Sequence, residues 1–148
     1  MKSVAQQILE GVRDALKAHP SLAGVQVFLD RDDRLGRSEM PAILIAEASE
    51  GENVDPQTVS SGMQRVYSVQ ISCVVAHKAT QAADARELGA KVEVVMGVPS
   101  FPVPKPGRAR LAATRLTSDS EGEVPMASQE QIWRFTYTTR RGAPDVAL

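Results

Sequence analysis

The sequence predicts an α+β domain, a mixed or antiparallel sheet of about four to five strands with two principal helices packed on it. Three observations carry that expectation. Between Arg65 and His77 apolar and polar residues alternate, so that Tyr67, Val69, Ile71, Cys73 and Val75 share one strand face while Ser68, Gln70 and Ser72 share the other. Near the C-terminus Trp133, Phe135 and Tyr137 alternate with Arg134, Thr136 and Thr138, which places half of the large aromatic side chains on one buried face. Two other segments, Ser3 to Ala18 and Thr80 to Met96, space their apolar residues with the period of an amphipathic helix.

In chain order, Val4, Ile8, Leu9, Val12, Ala15 and Leu16 form the apolar stripe of the first helix, with Ser3 as N-cap and Pro20 as stop. Val25 to Leu29 reads as a strand, and the charged run Asp30 to Arg34 with Gly36 as a loop. Pro41 to Ala46 is a second strand whose consecutive apolar residues imply burial on both faces. Glu47 to Gly62 is polar, acidic and without periodicity, and so reads as a long loop. Loops of that length in a small domain are usually functional or disordered, which makes it the first place to look for a partner surface, a solvated hairpin tip being the plainer alternative.

After the alternating strand, the second helix presents Ala85, Leu88, Val92, Val95 and Met96 on one side and ends at Gly97. Val98 to Gly107 carries four prolines and reads as an extended connector. Arg108 to Thr117 and Gln131 to Thr139 are the last two strands, an antiparallel pair around a polar Ser118 to Ser128 turn. Residues 1–140 are expected to form the single domain and 141–148 a mobile tail.

A chain of 148 residues buries about 70% of its unfolded surface and folds without disulfides. Its single Cys73 falls on the apolar strand face, where a thiol behaves as a small hydrophobe. Seventeen Lys and Arg nearly cancel eighteen Asp and Glu, so no global cationic field gathers nucleic acid. No apolar run is long enough for a membrane helix, and the basic-then-apolar pattern of a signal peptide is missing, so a non-exported chain without membrane contact is expected.

Catalytic, cofactor-binding and metal-binding residues are all expected to be absent. His19 and His77 have no metal-ligand spacing. The Asp30, Asp32, Asp33 run would need a glycine where Leu35 stands to form a calcium loop. Neither a phosphate-binding glycine loop nor a nucleophile elbow occurs. A different pattern remains: Arg108, Arg110, Arg115, Arg134, Arg140 and Arg141 make the C-terminal third basic. Arg108 and Arg110 share a strand face, with Arg115 on the other unless a bulge intervenes. The candidate subunit-interface residues are therefore Glu50, Glu52 and Asp55 against Arg108, Arg110 and Arg115 of another copy, the plainer alternative being solvated strand surface.

The succession of an amphipathic helix, a short strand, Met40-Pro41-Ala42-Ile43-Leu44-Ile45, an acidic stretch, the Tyr67 to His77 strand, the Thr80 to Met96 helix and a closing Trp133-Arg134-Phe135-Thr136-Tyr137 strand resembles the tail terminator proteins of long-tailed bacteriophages, the lambda-like minor tail protein U family. The resemblance spans nearly the whole chain. It departs in the proline-rich connector and in the extension after Arg140. It implies a virion subunit, without cofactor, that assembles in the host cytoplasm and forms a six-membered ring with itself on the tail tube. Its partners would be the tail tube protein and a head–tail joining or neck protein, with DNA passing through the ring without specific binding. A neck or head-completion protein linking portal and tail is the alternative within that setting. A small-ligand-binding cytoplasmic domain is the alternative outside it.

Overall fold

The computed structural model describes residues 1–56, 62–76, 80–97, 109–119 and 125–148. Helix α1 (Val4–Ala18) starts where Ser3 Oγ accepts the Gln6 N–H at 3.2 Å, and it buries Val4, Ile8, Leu9, Val12 and Leu16. Pro20 ends it. The next residues form a 3-10 turn, Pro20–Leu22, whose Ser21 N–H donates to His19 Nδ1 at 3.2 Å. Strands β1 (Gln26–Leu29), β2 (Ala42–Pro56) and β3 (Met63–Ala76), helix α2 (Gln81–Met96), and strands β4 (Ala109–Asp119) and β5 (Met126–Thr139) follow. The strands form one sheet of five in the order β1-β2-β3-β5-β4, parallel between β1 and β2 and antiparallel elsewhere. This is the expected single α+β unit with two helices.

Both helices pack on one face. Tyr67, Val69, Ile71, Cys73 and Val75 of β3 meet Ala85, Leu88, Val92, Val95 and Met96 of α2, the stripe of α1, and Trp133, Phe135 and Tyr137 of β5 in one apolar cluster. Tyr67 lies opposite Phe135 and Val69 opposite Trp133, so aromatic and branched side chains stack across the strands. Cys73 is fully buried, and burial pushes its thiol up to about 12. The amide of Gln131 sits in this core with no exposure. It is satisfied on both sides: its Nε2 donates to the Gly89 carbonyl at 2.9 Å, and its Oε1 accepts from Trp133 Nε1 at 2.9 Å. A Cβ at position 89 would stand 1.6 Å from Gln129 Oε1, so any larger residue there requires the Gln129 side chain to move.

The opposite face carries a smaller cluster of Leu35, Ala42 and Val74, flanked by Phe28, Leu44, Met40 and Met126. Thus the Pro41 to Ala46 strand is covered on both faces, as its unbroken apolar run predicts. The covering loop is organised by Arg31, which lies 4.5 Å over the Phe28 ring and donates to Glu39 at 2.8 Å and to the Arg34 carbonyl at 3.1 Å. The Arg31 guanidinium, then the Gly36 N–H, hold the Glu39 carboxyl down at about 2.

One expectation is overturned. Glu47 to Pro56 is not loop: it continues β2 as an arm paired with β3, Glu52 opposite Tyr67 and Pro56 opposite Met63. The register shifts between Glu47, opposite Val69, and Glu52, so Ala48 to Gly51 together face only Ser68. This bulge breaks the alternation by which a strand is recognised, while backbone pairing with β3 holds the segment whatever its side chains. Residues 57–61, the proline-rich connector, Arg108 and His77 lie outside the described residues. The final turn is shorter than expected, since β4 reaches Asp119 and β5 begins at Met126.

The C-terminal residues lie back against the domain. Leu148 N–H donates to the Thr138 carbonyl at 2.8 Å, and the Pro144 carbonyl accepts the Val4 N–H at 2.8 Å. The second bond satisfies one of the amides that the start of α1 leaves without an intrahelical partner.

Candidate functional site

Charged side chains gather on the β2 arm and on the strands beside it. Glu52 takes Arg65 Nη1 at 2.7 Å and the Tyr137 hydroxyl, while Arg65 Nε donates to Thr139 Oγ1 at 3.0 Å. The two ionic side chains are only 17% and 15% exposed, so Glu52 holds the arm to β5 and presents little to a neighbour. Burial, then the Glu52 carboxylate, drives the Tyr137 hydroxyl well above its ordinary range; burial, then Glu47, does the same to Tyr67. Both phenols are donors, and neither ionises at neutral pH.

On the other face Glu50 accepts from Arg134 Nη2 at 3.0 Å and from the buried Ser68 hydroxyl at 3.3 Å. Arg115 pairs with Glu130 at 2.8 Å. The bulge that the parity of Arg115 demands is present at Ala112: Leu111 lies opposite Trp133 and Ala113 opposite Ile132. Arg110 and Arg115, opposite Arg134 and Glu130, therefore share the face away from the helices. Glu50, Glu52 and Arg115 thus have partners within the chain. Asp55 and Arg110 are exposed, and among the described residues neither has a side-chain partner. Arg110 stands directly across from Arg134, and the two border a hollow of about 400 Å³ with Val66, Ala112 and Thr136. A smaller hollow of about 290 Å³ opens at the other end of the sheet, with Asp84, Glu87 and Lys91 at its rim and Val25, Met40 and Val75 in its wall.

Sequence reasoning missed Val54 and Leu111, apolar side chains left 44% and 38% exposed on β2 and β4. Val54 falls in the stretch read as loop, where an isolated valine carries no signal. Leu111 belongs to an expected strand whose edge position is not legible without the pairing order. Among the described residues no group of three or more His, Cys, Asp or Glu is placed to hold a metal ion, and no helix is long and apolar enough to cross a membrane.

No family model matches the sequence, and no curated protein matches it either. In structure the chain is similar to a chain of the virion of the native gene transfer agent (GTA) particle, at a TM-score of 0.52 and 16% identity, covering 86% of this chain and 92% of that one. At that identity the likeness is one of fold.

Proposed function

We propose that this protein is a structural component of a phage-like virion, and within that class a tail terminator: a ring of identical subunits that caps the tail tube, ends its polymerisation and offers the surface for head joining. The observation that carries the reading is the fold shared over nearly the full length of both chains with a component of the gene transfer agent virion. The element order that resembles the lambda-like terminators points the same way, and the six-fold order of the ring comes from that resemblance. The protein acts by shape rather than by chemistry. Interfaces that join copies head to tail either close into a ring or run on as a filament. A terminator closes laterally and differs at its far face. Its near-neutral charge, −1, suits a ring that passes DNA without gripping phosphates.

Electron microscopy of particles from a phage or prophage lacking this gene tests the reading. Overlong tubes are the expected result. Tails of normal length without heads would replace the terminator role by a neck role, and intact particles would remove the virion reading altogether.

A further inference from the structure

Among the described residues the sheet has several unpaired strand edges, and two of them match each other. β1 stops at Leu29 opposite Ile45, so among the described residues no strand covers the outer edge of the β2 arm beyond Glu47. The outer edge of β4 is likewise open. Free edges are normally guarded by charge, yet Leu111, Ala112 and Ala113 form an uncharged stretch between Arg110 and Arg115. The antiparallel ladders make β4 run opposite to β2. A neighbour placed beside the sheet in the same orientation therefore offers its β2 arm antiparallel to β4, with its helices on the same side.

We infer that, in the ring of the proposed function on which this inference rests, β4 of each copy pairs antiparallel with the β2 arm of the next, Arg110 facing Asp55 and Leu111 facing Val54. One register makes both pairs. Asp55 and Arg110 point away from the helices, as the positions opposite them, Gln64 and Arg134, do; Val54 and Leu111, opposite Arg65 and Trp133, lie on the helix side. Each pair joins groups left over in the single chain: two charges of opposite sign without partners among the described residues, and two exposed apolar side chains. Within one chain they cannot meet, since three strand spacings, roughly 14 Å, separate β2 from β4. Self-pairing of β4 about a two-fold axis centred on Ala112 and Ala113 is disfavoured, because it sets Arg110 against Arg115 on one face. Opposite edges of one sheet joined in this way make a head-to-tail contact, the kind that closes a ring.

The full-length chain carrying both Val54→Cys and Leu111→Cys is oxidised at concentrations where the unsubstituted protein assembles, or on tube ends, and read on a non-reducing gel. The expected result is a ladder of covalent multimers that ends at the ring; mixing the two single variants gives only a heterodimer. Asp55→Arg and Arg110→Asp should each weaken association by about ten-fold or more, with recovery in the doubly swapped chain. Assembly without cross-linking and indifferent to the swap overturns this interface and leaves the ring reading standing. A Leu111→Cys homodimer overturns it in favour of two-fold pairing of β4 centred on Leu111. A protein that stays monomeric both in solution and on tube ends overturns the interface and the ring reading together.

Discussion

The two faces of the sheet are made from the same strands on different principles. Toward the helices, odd-numbered residues of β3 and β5 join both helix stripes in one apolar cluster, interrupted by a fully hydrogen-bonded Gln131. Away from them, the strands carry Glu50, Arg134, Arg115 and Glu130 in exposed or half-exposed ion pairs, with a small apolar patch only where the Arg31 loop covers Ala42 and Val74. Burial of apolar area stabilises by about 25 cal/mol per Å², whereas exposed ion pairs contribute about 0–1 kcal/mol. The covered face therefore sets stability. The open face and the free strand edges are left to determine what the protein touches.

The sharpest way to break this division is Ile71→Ala. Ile71 has no exposure, so the truncation should cost about 2–5 kcal/mol in denaturant unfolding. A loss below about 0.5 kcal/mol would mean that the covered face does not carry the stability. Gly89→Ala comes next: the new methyl collides with Gln129 and disturbs the amide that holds Gln131, at about 1–3 kcal/mol, outweighing the better helix propensity of alanine. Glu52→Ala strands the half-buried Arg65 and removes the Tyr137 acceptor, also at roughly 1–3 kcal/mol. Equal stability of this variant and the parent would show that the arm is not held to β5 by that pair. By contrast Glu50→Gln, on the open face, should change stability by less than about 1 kcal/mol.

The smallest effect sharpens the comparison through pH. The Glu39 carboxyl is depressed in the folded chain to about 2 by Arg31 and the Gly36 amide. Its contribution is therefore complete above its ordinary value near about 4.3 and is lost as pH falls toward about 2. Melting curves of the parent and of Glu39→Gln should converge across that window. A difference that stays constant down to the lower limit would separate Glu39 from the order of the Arg31 loop.

Where one face is buried, the sequence was readable, because burial imposes a period. The alternations in Tyr67 to Val75 and Trp133 to Tyr137, and the helical spacing of Val4 to Leu16, each reported the face they bury. The β2 arm was not readable. Its residues are acidic and small, Gly51 takes a φ of +64°, and four residues oppose one at the bulge, so neither composition nor parity marked a strand. The beginning of β5, Met126 to Glu130, was missed for a related reason, its polar residues hiding a segment held by backbone pairing with β3. For the candidate interface, the sequence showed opposite charges in two regions. It did not show that Glu50, Glu52 and Arg115 have partners within the chain and that, among the described residues, Asp55 and Arg110 do not, because that depends on the bulges at Ala48 to Gly51 and at Ala112.

The most direct measurement of the central claim is the length distribution of tail tubes polymerised with and without the purified protein. Added at concentrations that saturate tube ends, the parent chain should stop growth and leave ends that accept no further tube subunits. The Asp55→Arg chain, folded with unchanged stability, should stop growth less effectively. Tube lengths unaffected by the parent chain at saturation would contradict the account.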